Sequence, residues 1–273
     1  MPYKIEKTKF IENLAKRRIG THISKNKTFF KSISEFYKSD RSYLKPVQIF
    51  TGSPKFWKRP NVPEQDIEKT REFIHKYNLS VFIHSIYLIN LSKSPEEFRE
   101  KAKECLIFEL EFGEKIGFKG VVVHCGKSLK LDKKVALDNM YNNIIEIYNS
   151  GCISNSNPLL IETSAGQGTE VCTTIREFMD FYSRFTDEQM TKIKICIDTC
   201  HVFAAGHESL EYLEKWNKRF PGSIVLVHYN DSKVDKGTKK DRHAYPGEGY
   251  IGKKKMLKIA DFCMKHNLPM VIE

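Results

Sequence analysis

Six short apolar runs in this 273-residue sequence end on a side chain able to hold a metal ion. "VFIH" ends on His84, "GVVVH" on His124, "PLLIE" on Glu162, "IKICID" on Asp198, "IVLVH" on His228 and "PMVIE" on Glu273. With 9 His and 34 Asp plus Glu in the chain, chance would supply such a residue at about one or two of eight run ends. Taken singly, each has an ordinary explanation. A histidine can be hydrogen-bonded structure, Asp198 can cap a following helix, and Glu162 or Glu273 can pair with lysine. Taken together, three imidazoles and three carboxylates meeting in one pocket need cations among them. That donor set suits zinc, and more than one ion, because a tetrahedral zinc takes only four ligands. A further set stands outside the run ends: His201 in "CIDTCHVFAAG", and Asp241 with His243 in "KKDRHAYPGEG". Two His and an Asp leave a fourth position open, the pattern of a catalytic rather than a closed structural zinc. We assign them to a third metal.

These side chains converge only if the runs are neighbouring strands. "IGTHIS" (19–24), "PVQIF" (46–50), 81–84, 120–124, 158–162, 193–198, 224–228 and 269–273 are near-continuous apolar segments, as in parallel strands buried on both faces. The stretches between carry helical period. Phe98, Ala102, Cys105, Phe108, Phe112 and Ile116 share one helix face, as do Leu137, Met140, Ile144 and Ile147. Pro95 stands where a first-turn proline belongs and Gly117 where a C-terminal cap belongs. Eight such alternations predict a (β/α)8 TIM barrel, an α/β fold with its active site at the C-terminal strand ends. A doubly wound open sheet is the alternative, but no G-x-G-x-x-G opens the first unit. Residues 1–273 read as one domain, with a basic helical extension over 1–18, the barrel over 19–273, and no helix after the eighth strand.

The net charge is +11, which fits either a lysine-rich solvated surface or a polyanion partner. No run of apolar residues is long enough to span a membrane, and the N-terminus has no apolar core of a secretory signal. Seven cysteines without a pairing pattern point to reduced thiols in an intracellular protein. Cys196 and Cys200 read as strand residues rather than a thiolate zinc site. "SAGQG" and "PGEGYIG" read as tight turns past strand ends in preference to phosphate nests.

In order along the chain, "HSIYLINL", "VVHCG", "IETSAGQG", "CIDTCHVFAAG", "HYNDSK" and "DRHAYPGEGYIG" resemble the successive motifs of endonuclease IV, the zinc-dependent apurinic/apyrimidinic endonucleases of base excision repair. The resemblance runs from about Ile19 to Glu273. It implies three zinc ions: one on His84, His124 and Glu162; a second on Glu162 as a bridge with Asp198, His228 and Glu273; a third, Zn²⁺ or Mn²⁺, on His201, Asp241 and His243. It implies cleavage of double-stranded DNA 5′ to an abasic site, leaving a 3′-hydroxyl, with trimming of blocked 3′ ends. The implied nucleophile is a hydroxide bridging the first two ions, with Glu162 and Glu273 as catalytic residues. "FTGSPKFW" (50–57), with Lys55 and Trp57, resembles the family's minor-groove loop, and Tyr87 and Leu88 match positions that wedge into the base stack. The chain departs from the pattern at Lys55, where arginine is frequent, at Thr163 for asparagine, at Cys125 for proline, and at "KNK" after Ser24. A monomer acting wherever the genome is kept is expected. Two other readings stay open. One is a sugar isomerase or epimerase on a related barrel with Mg²⁺ or Mn²⁺; the other is a DNA-binding module without activity.

Overall fold

The computed structural model describes residues 10, 12–14, 16–40 and 45–273. Of the expected N-terminal extension, 1–9, 11 and 15 lie outside the described residues; Phe10 and Leu14 are buried in the core, and Arg17 Nε donates to Asp261 Oδ1 at 3.2 Å.

The elements run β1 (Ile19–Ile23), α1 (Phe29–Asp40), β2 (Val47–Phe50), α2 (Glu64–Tyr77), β3 (Val81–His84), α3 (Pro95–Ile116), β4 (Val121–His124), α4 (Lys133–Asn149), β5 (Leu159–Glu162), α5 (Ile175–Tyr182), α6 (Asp187–Lys192), β6 (Ile193–Asp198), α7 (Thr199–Ala204), α8 (Ser209–Arg219), β7 (Ile224–His228), β8 (Asp231–Ser232), β9 (His243–Ala244), α9 (Lys253–Lys265) and β10 (Met270–Ile272). Eight parallel strands close into a barrel in the order β1-β10-β7-β6-β5-β4-β3-β2. Closure brings β1 against β2, with His22 opposite Gln48. Glycine is required at position 20, because a Cβ there would run into the Pro46 carbonyl.

The helices end as their residues dictate. Ser94 Oγ accepts from Glu97 N–H ahead of Pro95, and Gly117 at φ 85° turns the chain out of α3. Phe98, Ala102, Cys105, Phe112 and Ile116 face the core, with Phe108 half-buried.

The barrel interior explains how the strand ends come together. Phe82, Val122, Leu160, Cys196, Leu226 and Val271 form a separate buried cluster. Each stands two residues before one of His84, His124, Glu162, Asp198, His228 and Glu273. Side chains two apart on a strand share a face. The apolar set is therefore the floor, and the polar set lies one layer above it, at the mouth.

Candidate metal centre

Three groups of donor atoms lie at that mouth, each with all its atoms within 4.8 Å of one another: His84, His124 and Glu162; Glu162, Asp198, His228 and Glu273; and His201, Asp241 and His243. Their members are the residues that the resemblance groups together. Glu162 belongs to two of them. Its Oε2 lies 3.1 Å from His124 Nε2 and 3.4 Å from His84 Nε2, while its Oε1 lies 2.9 Å from His228 Nδ1. Glu162 Oε2 is buried yet has no hydrogen-bond partner. A carboxylate oxygen without a donor, facing two imidazole nitrogens, has the surroundings of a metal ligand.

The histidine tautomers point the same way. His84 Nδ1 lies 2.7 Å from the Ser85 carbonyl and His201 Nδ1 lies 2.9 Å from the Thr163 carbonyl. A carbonyl only accepts, so each ring donates from Nδ1 and presents Nε2 to the pocket. In the third group, Asp241 Oδ1 lies 3.0 Å from His243 Nε2 and 3.3 Å from His201 Nε2. The D-x-H pair after β7 thus meets His201 through Asp241.

Charge is the second argument. Among the described residues, the ion pairs of Glu162, Asp198, Asp241 and Glu273 are all with histidine. No described lysine or arginine is ion-paired with them. Glu273 is exposed as a residue through its backbone, but its side chain is only 14% exposed. Burial by itself would raise the Glu162 carboxyl; the His124 and His228 imidazoles instead pull it well below the usual range. Burial would also lower His201, His228 and His243, yet the surrounding anionic groups raise all three. Without a metal, protons on these imidazoles would be the nearest positive charge for the buried carboxylates; His84, by contrast, is lowered by burial. A metal ion must displace those protons, so affinity is expected to fall as pH drops. A metal titration repeated at about pH 8 and about pH 6 checks this, with weaker binding expected at the lower pH.

Asp198 performs two tasks at once. Its Oδ1 caps α7 by accepting from His201 N–H at 2.8 Å. Its Oδ2 accepts from Asn230 Nδ2 at 2.7 Å and lies 3.5 Å from His243 Nε2. Because the strand ends at Asp198, Cys200 belongs to α7, which corrects the strand assignment made from the sequence. Asp198, Cys200 and His243 also fall within metal-binding reach of one another. Burial, however, pushes the Cys200 thiol up to about 12. It is a thiol rather than a thiolate at neutral pH, and a poor ligand.

Both glycine loops prove to be nests, and each is already filled by a carboxylate of the chain. Gly166 and Gln167 N–H donate to Glu170 Oε2. Asp231, fully buried, accepts from the N–H groups of Ser232, Gly247, Gly249, Ile251 and Gly252 at 2.7–3.2 Å. It anchors the loop that follows His243. Asp231→Ala should strand these donors and cost about 3 kcal/mol, lowering Tm by roughly 6–12 °C for a chain of this size. An unchanged melting curve would contradict that role.

Of the expected DNA-contacting residues, Tyr87 is 54% and Leu88 39% exposed. Lys55 is exposed, whereas Trp57 is half-buried and packs on the core. Tyr87 N–H donates to the Pro54 carbonyl at 3.1 Å, so the loops after β2 and β3 are joined. Sequence reasoning missed Phe56, which is 66% exposed. It also missed His22 and Gln48, polar residues inside apolar runs, a signal that could have been read. A cleft of ≈ 410 Å³ lies over the site, lined among others by His84, Tyr87, His124, Asp241, His243 and Glu273. A larger groove of ≈ 670 Å³, lined by Lys119, Lys194 and His266, contains none of the site residues.

The family described as "Xylose isomerase-like TIM barrel" matches residues 44–262. The probable endonuclease 4 of Symbiobacterium thermophilum is 32% identical over 264 residues, covering 94% of this chain and 92% of that protein. The crystal structure of endonuclease IV from Thermus thermophilus superposes with a TM-score of 0.76 at 26% identity, covering 93% of this chain and 91% of that one. A D-tagatose 3-epimerase-like protein superposes at 0.70 with 17% identity, over 93% of this chain and 89% of that one; that likeness is one of fold. The barrel is thus common ground, and the extended sequence match decides: this chain belongs to the endonuclease IV family.

Proposed function

We propose that the protein is a DNA repair endonuclease that hydrolyses the phosphodiester 5′ to abasic sites in duplex DNA, leaves a 3′-hydroxyl and also trims blocked 3′ ends. The observation that carries this reading is the third donor group, His201, Asp241 and His243, beside two groups that share Glu162. Sugar-processing sites favour carboxylates with few imidazoles, whereas this mouth gathers five site histidines.

The residues present fit three divalent ions, which we take as zinc, the third open to manganese. His84, His124 and Glu162 would hold one; Glu162, Asp198, His228 and Glu273 a second; His201, Asp241 and His243 the third. Bound ions supply water activation near neutral pH and charge neutralisation on phosphate. The chain's own residues do the rest. Glu162, reached from both sides, holds two groups at a fixed separation. Glu273 places Oε1 on Gln48 and Oε2 3.2 Å from His228 Nδ1, so its carboxylate is oriented before substrate arrives. Of the lysines and arginines among the described residues, Lys127 lines the cleft, where its Nζ lies 3.7 Å from Glu170 Oε1; further selectivity falls to the rim.

The rim supports a nucleic-acid partner. Among the described residues, the exposed large hydrophobics are Phe56, Tyr87, Leu88, Leu129, Leu131, Val135, Tyr245 and Tyr250. They stand on loops or a first helical turn at the C-terminal mouth. Tyr87 and Leu88 are suited to wedge into a base stack, with Phe56 beside Lys55 on the adjoining loop. The +11 charge draws the phosphate backbone, and a monomer suffices. Among the described residues no helix is long and apolar enough to cross a membrane.

The test compares a duplex carrying one tetrahydrofuran abasic analogue with the same duplex undamaged. The analogue cannot undergo β-elimination. Cleavage of the first alone, with a product that a polymerase can extend, supports the reading. Salt-sensitive binding without cleavage would favour an inactive binding module, and turnover of a ketose would favour the isomerase reading.

A further inference from the structure

We propose that Gln48 is a positioning residue for the second donor group: it selects Nδ1 of His228 as the metal-facing nitrogen and pins the Glu273 carboxylate beside it. The inference rests on the reading that this group takes a divalent ion.

Gln48 is fully buried in β2, and its amide reaches across the barrel mouth to β7 and the end of β10. One contact fixes its orientation. The amide atom 2.7 Å from Glu273 Oε1 faces a carboxylate, which only accepts, so that atom is the NH₂ group. Its Oε1 is then the atom 2.8 Å from His228 Nε2. Because Oε1 can only accept, His228 carries a proton on Nε2. The His228 nitrogen turned to the pocket is Nδ1. It faces Glu162 Oε1 at 2.9 Å, Glu273 Oε2 at 3.2 Å and Asp198 Oδ2 at 3.7 Å. A ring lone pair facing three carboxylate oxygens is tolerable only with positive charge among them.

The second amide hydrogen points to His22 Nδ1 at 3.0 Å. His22 is the neighbour of Gln48 across the β1–β2 pairing, so the strand register brings the two together. All the hydrogen-bonding capacity that Gln48 turns to this network is used: one acceptor on His228, one donor on Glu273 and one on His22. Other side chains of this size fail in part. Glutamate would oppose Glu273, and methionine fills the space without either hydrogen bond. Partners of this kind, standing behind the ligands, commonly tune metal affinity by about 10–100-fold.

The experiment uses full-length wild type and Gln48→Met, stripped and reloaded with zinc, with ions per chain counted after dialysis against chelators of graded strength. One ion per chain should be held about 10–100-fold more weakly in the variant, with the other ions retained as in wild type. A second measurement needs no variant: ring ¹⁵N–¹H correlation in zinc-loaded wild type should show His228 protonated on Nε2. Unchanged retention of every ion in a folded Gln48→Met protein, or a His228 proton on Nδ1, would overturn the proposal. Wild type that takes up no ion would overturn the metal reading itself, and this inference with it, so the two failures are told apart.

Discussion

Glu162→Ala is expected to abolish cleavage while leaving the barrel folded. Glu162 is the carboxylate shared by the first two donor groups, and its two oxygens face different histidines. Removing it takes a ligand from both groups at once and leaves His84, His124 and His228 without the anion they share. Charge stabilisation by a bound metal is worth several kcal/mol, so the rate should fall by at least about 10³-fold. The apolar floor of Phe82, Val122, Leu160, Cys196, Leu226 and Val271 is untouched, so circular dichroism should be that of wild type. His124→Ala should act in the same direction through the first group alone. Retained cleavage in either variant would remove the metal assignment.

Asp241→Ala should lose one ion per chain and keep the others. Asp241 Oδ1 is the atom that both His201 and His243 approach, and their proximity pulls its carboxyl below the usual range despite burial. It stands on the loop between β8 and β9, apart from the strands that carry the other two groups. Cleavage should slow by about 10²–10³-fold, the usual effect of removing one preorganised stabiliser of developing charge. Metal analysis that finds no ion lost would mean that Asp241 and His243 only hold the loop.

Most of this architecture was legible because β-strand alternation is strict. A metal-capable residue two places beyond an apolar one, repeated in six runs, fixes an inward face and a layer above the floor. Helix ends were legible for a local reason: Pro95 and Gly117 act through their own backbone preferences. What escaped was long-range. Gln48 takes its role only through His228, 180 residues away, and "PVQIF" alone does not say which residues lie across the barrel. Asp231 looked like one residue of "HYNDSK" until the loop from Gly247 to Gly252 closed on it. Cys200 was placed in a strand with Cys196 although Asp198 between them could cap a helix, and the structure shows Asp198 doing so, with Cys200 in α7. Trp57, expected at the DNA, is half-buried against the core, and Phe56 beside it is exposed.

The central claim is that the mouth becomes a nuclease only when its three donor groups are filled. The measurement is a titration of zinc into fully stripped protein, scoring cleavage of the tetrahydrofuran duplex against ions bound per chain. The account predicts no cleavage without metal and activity that rises until all three groups are filled. Cleavage by the stripped protein, or full activity with a single ion bound, would contradict it.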